Sequence, residues 1–148
     1  MDSGIGRQPG LRLSRQWKEP MSFRIERDDR RHRLRVTLAD PLTDADAIGV
    51  LDHQASTGAW SYGVLCDTRN LTKGLPRAAV LEVVHHVEEL VHTHGQRGPV
   101  AIVARSGALI GVSEAYAMDE VAHGRQVAVF WAPEEATEWL DEQKPAAP

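Results

Sequence analysis

Polar residues able to bind a ligand follow three apolar runs of this chain. Asp67-Thr68-Arg69-Asn70 follows one run, Ser106-Gly107 follows the next, and Trp131 closes the last. A carboxylate and a guanidinium can hold polar groups, and amides at the start of a helix can hold an anion. Structural roles are equally open to them, since Asp67 and Arg69 can pair and Ser106 can cap a helix. We take these residues as candidate ligand-binding residues and predict no catalytic residue, because their spacing suggests no nucleophile–base pair.

A histidine-rich stretch is the second feature that could carry chemistry. His85, Glu89 and His92 are four and three residues apart, so a helix would place them on one face. Such spacing can ligate a metal, but di-metal bundles need a matching pair on a facing helix, and the sequence shows none. A His-Glu-x-x-His motif is also absent. We therefore predict a solvated helix face and no metal site.

Cys66 is the single cysteine of the chain and cannot form an intramolecular disulfide. It lies inside an apolar run, whereas a reactive thiolate needs a partly exposed, electropositive setting. We therefore predict a core cysteine.

The composition is that of one folded domain. The 148 residues include 42% hydrophobic and 26% charged residues, which is ordinary for a globular chain with its own core. The net charge of −4 is uneven, since residues 1–36 hold ten Lys and Arg against five Asp and Glu. Arg33 and Arg35 alternate with Leu34 and Val36, however, as in a half-buried strand with one solvated face. We therefore predict no nucleic-acid partner.

The sequence also limits location and cofactors. No apolar run approaches the roughly 20 residues that cross a bilayer, and the N-terminus lacks the apolar core of a signal peptide. Glycine-rich nucleotide-binding motifs are absent. We expect a cytoplasmic protein with no stable membrane insertion and no cofactor.

Hydrophobic periodicity and turn residues predict the element order ββαβαβαβα. This order indicates a single-domain α/β fold with a mixed β-sheet and helices packed against it. We place the domain at residues 21–141, after a flexible leader over residues 1–20 and before a disordered tail over residues 142–148. The predicted strands cover residues 23–27, 33–38, 62–66, 100–104 and 127–131, with helices over 43–58, 76–95, 108–123 and from 133.

Three short strings of the chain carry a family resemblance. They are Val64-Leu65-Cys66-Asp67-Thr68-Arg69, Val100–Ala104, and Val129-Phe130 followed by Glu135-Ala136-x-x-Trp139-Leu140. With the element order, they resemble the STAS superfamily, in particular its SpoIIAA-like (STAS/SEC14-like) branch, from about Phe23 to Leu140. The resemblance implies a mixed sheet and a non-enzymatic role in protein interaction, in some members switched by phosphorylation. Residues 71–76 correspond to the family's switch turn but contain no serine, which argues against an anti-sigma-antagonist role. Thr72 is a loose positional match and is the candidate phosphorylation site.

The leading hypothesis is a non-enzymatic binding or regulatory module that acts through an unknown protein partner. A homodimer is possible, because the hairpin would leave a sheet edge exposed and Trp17 and Trp60 have no evident place in the core.

Two alternatives remain open. One is a carrier of a small apolar or lipid-like ligand, as the SEC14-like relationship implies, with a site lined by Leu109, Val112, Tyr116 and Met118. The other is an enzyme that uses the carboxyl-end edge of the sheet. A closed apolar pocket would favour the carrier, and a filled core with an exposed apolar patch would favour the interaction module.

Overall fold

The computed structural model describes residues 22–143. The predicted leader lies outside the described residues, as do residues 144–148 of the predicted tail. Within residues 22–143 the elements follow the predicted order ββαβαβαβα. The strands are β1 (Phe23–Asp28), β2 (Arg33–Ala39), β3 (Gly63–Asn70), β4 (Val100–Val103) and β5 (Val127–Phe130). The helices are α1 (Asp44–Ser56), α2 (Arg77–His94), α3 (Gly107–Ala122) and α4 (Pro133–Glu142).

The strands form one mixed sheet in the order β1-β2-β3-β4-β5. β1 pairs with β2 antiparallel, and every other neighbouring pair is parallel. This confirms the predicted hairpin and the series of β–α–β units. The sheet therefore has two free edges in the described domain, β1 and β5.

The alternation in β2 has the predicted effect. Leu34 and Val36 are each 1% exposed and belong to the main core cluster. Arg33 and Arg35 point to the opposite face, where each forms an ion pair. The basic character of this segment is therefore that of a solvated strand face.

Local signals fix the helix ends. Thr43 caps α1 with a capping box, accepting a hydrogen bond from the Asp46 amide and donating its own amide to the Asp46 carboxylate. Gly95 follows α2 with φ +90°, a left-handed conformation that glycine adopts without strain.

β3 is longer than predicted. The sequence indicated that Asp67-Thr68-Arg69-Asn70 would leave the sheet, yet all four residues stay in the strand. Asp67 pairs with Val103, and Asn70 pairs with Ala39 after an irregularity in the register. The pairing on both sides outweighs the polar composition, because the Asp67 carboxylate is neutralised by neighbouring arginines.

The helices form two unequal layers. α4 packs on β3, β4 and β5 over one face, where Ala136 and Leu140 meet Leu65 and Val103. The other three helices cover the opposite face. α2 packs mainly on α1 and α3. This arrangement leaves space between α2 and the sheet.

Candidate functional site

The space beneath α2 is an apolar cavity of about 150 Å³. The sheet forms its floor, and the facing sides of α1, α2 and α3 form its walls and roof. The loop after β2 and the loop after β3 complete it with Leu42, Leu71 and Leu75. Floor residues include Val36, Val64, Cys66, Val100 and Ile102, and roof residues include Leu51, Val80, Val83, Leu109 and Val112.

Cys66 and Tyr116 present the weakly polar atoms of this lining. Burial raises the pKa of the Cys66 thiol to about 12, against the opposing effect of the Arg97 charge. Burial also raises the pKa of the Tyr116 hydroxyl; Arg97 acts in the opposite direction, and the charge and hydrogen bond of the Glu120 carboxylate raise the pKa further. Both groups are therefore neutral at physiological pH, and both feel the charge of Arg97. Cys66 is partly buried and packs against the main core cluster, at the edge of the cavity.

Arg97 is the charged residue of the cavity lining. It is only 6% exposed, and its guanidinium lies 5.3 Å from the centre of the Trp60 ring. The loop that carries it is tightly packed, because a Cβ on Gly98 would overlap the carbonyl oxygens of Ser61 and Tyr62. Trp60 is itself fixed, since its indole N–H donates to the Gly95 carbonyl at 2.7 Å. The cation is thus held by a rigid loop and a buried aromatic ring.

Gln54 orients the Arg97 guanidinium. Its side-chain oxygen accepts from Arg97 Nε at 3.1 Å and from Nη2 at 2.9 Å. Its Nε2 donates to the carbonyls of Ala59 and Trp60. These two contacts fix the orientation of the amide, because a 180° flip would place the Gln54 oxygen against both carbonyl oxygens. Gln54 therefore supplies a neutral acceptor to a buried charge.

A second buried arginine shows the contrast. Arg125 Nε donates to Glu120 Oε1 at 2.5 Å, and its Nη1 donates to Glu88 Oε1 at 2.7 Å. These contacts tie the end of α3 to α2. Arg125 is bracketed by carboxylates, whereas Arg97 forms no ion pair with any carboxylate of residues 22–143.

Asp67 lies on the opposite face of the sheet from the cavity. Arg69 holds its carboxylate in a fork, with Nε 2.9 Å from Oδ1 and Nη2 2.7 Å from Oδ2. Arg35 adds a contact of 3.3 Å. Burial would raise the pKa of Asp67, but the hydrogen bonds from Arg69 and the charges of both arginines outweigh it and lower the pKa. This cluster has the geometry of an internal ion pair.

The other candidate residues are dispersed. Thr68 lines the cavity, but its hydroxyl donates to the Val103 carbonyl. Ser106 caps α3 by accepting from the Leu109 amide. Asn70 and Gly107 are exposed, and Trp131 is 58% exposed at the end of β5. Of the predicted ligand-binding residues, the structure brings Thr68 and Tyr116 to the cavity, and a ligand role for any of them stays a prediction.

Two expectations about apolar residues need correction. Leu109, Val112 and Tyr116 line the cavity as predicted, but Met118 points outward and is 73% exposed, because it lies on the opposite side of α3. Trp60 is not a free surface aromatic, since it is only 5% exposed and packs on α1 and α2. Trp17 lies outside the described residues. Thr72 is exposed in the loop after β3, beside Leu71 of the cavity lining.

The histidine-rich face of α2 is polar and solvated. His85 and Glu89 lie 3.5 Å apart with exposed side chains. Over residues 22–143, no group of three His, Cys, Asp or Glu side chains is placed to hold a metal ion. Within the same residues, none of the helices is both long enough and apolar enough to cross a membrane.

Sequence reasoning missed Arg97 and Gln54. Periodicity marks apolar faces, and Gln54 on α1 simply interrupts one. The weak signal for Arg97 is its position between Gly95 and Gly98, immediately before a wholly apolar strand.

Comparisons with known proteins support the fold. No protein-family model matches the chain, and no curated protein matches it. Among solved structures, an anti-sigma factor antagonist from Mycobacterium paratuberculosis matches with a TM-score of 0.55 and 13% identity, over 81% of this chain and 93% of that one. The unphosphorylated form of the anti-sigma factor antagonist SpoIIAA matches with a TM-score of 0.50 and 13% identity, over 82% and 99%. The chain has a SpoIIAA-like, or STAS, fold.

A protein from Shewanella loihica PV-4 with a SpoIIAA-like fold also matches, at 21% identity over 80% of this chain and 91% of that one, with a TM-score of 0.49. At these identities the likeness concerns the fold. Function in this SpoIIAA-like domain has to be argued from its own residues.

Proposed function

We propose that this SpoIIAA-like domain is a non-enzymatic binding module that holds a small, largely apolar molecule in the cavity beneath α2. The observation that carries the proposal is the cavity itself. Folded cores are normally packed to the density of organic crystals, with few voids larger than a water molecule. A partly open apolar cavity of about 150 Å³ on one face of the sheet is therefore a place where a small molecule can bury apolar surface.

The volume limits the occupant. An apolar cavity of about this size accommodates roughly one benzene-sized body. A long acyl chain exceeds it, so a small ring or a short chain fits better than a membrane lipid. The ligand part of the carrier hypothesis is thereby narrowed to small molecules.

Native mass spectrometry of the purified protein, followed by denaturing analysis of released molecules, tests this function directly. A stoichiometric small molecule supports it.

NMR titration with benzyl alcohol and benzoate gives the second test, because binding would shift amide resonances around the cavity. Ala47→Leu places a larger side chain in the lining and should abolish these shifts. Ala45→Leu makes the same change at an exposed position of α1 and should leave them intact. Shifts confined to the outer surface, or unaffected by Ala47→Leu, would contradict the proposal.

A second candidate function is protein interaction, and an exposed apolar edge favours it. Met118 and Val121 of α3 are 73% and 55% exposed and flank β5, next to Val129 and the exposed Trp131. Two proteins with the same fold are anti-sigma factor antagonists. We propose that a second copy of the chain binds this surface. The edge strand β5 is short and apolar, whereas the other edge strand, β1, carries charges at Arg24, Glu26 and Asp28 that disfavour strand pairing.

Sedimentation velocity over a concentration series tests the homodimer. Val121→Glu should weaken self-association by about tenfold or more, because it places a charge in the apolar contact. Leu81→Glu changes a residue that is 47% exposed on α2 and should have no effect. A monomer at every concentration would remove this candidate. A cytoplasmic location remains a prediction from the sequence.

An enzyme at the carboxyl-end edge is not proposed. Asp67 is engaged by two arginines and Ser106 is engaged as a helix cap. Neither side chain is left in contact with a base or a nucleophile among the described residues.

A further inference from the structure

We infer that the ligand of the cavity is a small carboxylate, whose charge pairs with Arg97 and whose apolar body fills the space beneath α2. The inference rests on the proposed function and adds the chemical class of the ligand. It follows from the relation between one buried cation and the void that it borders.

The first step concerns the unpaired charge. A buried guanidinium without a carboxylate is costly, because desolvation removes several kcal/mol of hydration that a neutral amide only partly replaces. Arg125 in the same fold shows the usual solution, with Glu120 at 2.5 Å and Glu88 at 2.7 Å. Within residues 22–143, Arg97 receives the Gln54 oxygen and interacts with the Tyr116 hydroxyl, and it forms no ion pair with a carboxylate.

The second step concerns direction. Gln54 occupies the side of the guanidinium that carries Nε and Nη2. A guanidinium has five N–H donors, so those on its other side remain for a further acceptor. Arg97 lines the cavity, and its charge acts on Cys66 and Tyr116, which line it too. Because Arg97 lines the cavity, we assign an acceptor inside the cavity to these remaining N–H groups.

The third step concerns the rest of the ligand. The lining beyond Arg97 is almost wholly aliphatic, so it favours a hydrocarbon body. Ser113 of α3 also borders the cavity, so its hydroxyl can donate to the second carboxylate oxygen. Together with the volume, these features select a monocarboxylate such as an aromatic acid or a short-chain acid.

The test compares anions with neutral molecules of the same shape on the wild-type protein. Isothermal titration calorimetry at pH 7 measures the dissociation constants of two matched pairs. Benzoate is compared with benzyl alcohol, and hexanoate is compared with 1-hexanol. At least one carboxylate should bind about ten- to a hundred-fold more tightly than its alcohol, the range expected for a hydrogen bond to a buried charge. Measurement on the unaltered chain avoids any dependence on the folding of a variant.

Arg97→Met then removes the charge and keeps an apolar side chain of similar length. The preference for the carboxylate should disappear, while Arg105→Met at an exposed arginine should retain it. Alcohols that bind as tightly as the acids would overturn the inference and leave the proposed function standing. Failure of all four molecules to bind would overturn both. A carboxylate preference that survives in Arg97→Met would place the anion elsewhere and also overturn the inference.

Discussion

Asp40 holds Thr72 by its backbone and its side chain at once. The carboxylate accepts from the Thr72 amide at 3.0 and 3.2 Å and from its hydroxyl at 2.6 Å. This contact joins the loop after β2 to the loop after β3. Both loops contribute to the cavity lining, through Leu42 on one side and Leu71 and Leu75 on the other. The candidate phosphorylation site therefore lies at a clasp on the rim of the cavity.

Modification of Thr72 should open this clasp. A phosphate removes the hydroxyl donor and places about two negative charges beside Asp40. Thr72→Val, which lacks the donor, should lower the free energy of unfolding by about 1 kcal/mol, and Thr72→Glu by more because of repulsion. Urea denaturation measures both. Thr93→Val on the exposed side of α2 is the control and should stay within about 0.5 kcal/mol of wild type. A stable Thr72→Glu variant would show that the clasp does not constrain the loops.

The ion pair at Asp67 should make stability depend on acid pH. Its pKa in the folded protein lies below the ordinary value of 3.8, so its stabilising effect is complete above that value and is lost as the pH falls further. Asp67→Asn should destabilise the protein by about 1–3 kcal/mol at pH 7 and flatten the pH dependence below pH 4. The measurement is urea unfolding at pH 7 and pH 3. Glu138→Gln, an exposed change on α4, should leave the acid sensitivity unchanged.

Cys66 should be chemically inert in the folded protein. With a pKa of about 12 in the fold and an ordinary value of 9.0, its thiolate fraction at pH 8 falls by about three orders of magnitude on folding. Labelling with a disulfide reagent should therefore be at least about a thousandfold slower than in denaturant. A bound ligand should slow it further, since the thiol borders the cavity. Equal rates in native and denatured protein would contradict this placement of the side chain.

Gln54→Glu should destabilise the protein even though it supplies a counter-charge to Arg97. The new oxygen would face the carbonyls of Ala59 and Trp60, which now accept hydrogen bonds from the amide. We expect the free energy of unfolding to fall by about 2 kcal/mol or more, because a buried carboxylate oxygen would face two carbonyl oxygens with no hydrogen between them. Gln96→Glu adds the same charge at an exposed neighbouring position and should be nearly neutral. Thermal and urea unfolding of both variants would separate the two effects.

The fold was largely predictable from the sequence, because its signals are local. The capping box at Thr43, the alternation around Leu34 and the glycine after α2 each depend on neighbours in the chain. The extension of β3 to Asn70 was not predictable in this way, because strands distant in sequence hold that polar segment in place.

The candidate site depends on long-range relations. Gln54 and Arg97 are 43 residues apart in the sequence. The role of the Gln54 amide can be recognised only once the fold places it beside the Arg97 guanidinium. The cavity depends on how α2 packs against α1 and α3, and the periodicity of α2 does not reveal these partners. The sequence placed Leu109 and Tyr116 correctly on the cavity-facing side of α3. It could not show that Met118 lies on the opposite side, because it does not show how the helix is rotated about its own axis relative to the sheet.

The unlike edges of the sheet limit how far any self-association could proceed. Two chains joined through β5 about a twofold axis would turn their β1 strands outward, with Arg24, Glu26 and Asp28 on both ends of the combined sheet. Charged side chains along an edge strand disfavour the addition of a further strand, because pairing would desolvate them, so growth would stop at two chains. The charged side chains of β1 would thus limit assembly to a dimer and prevent open-ended, fibril-like stacking of sheets.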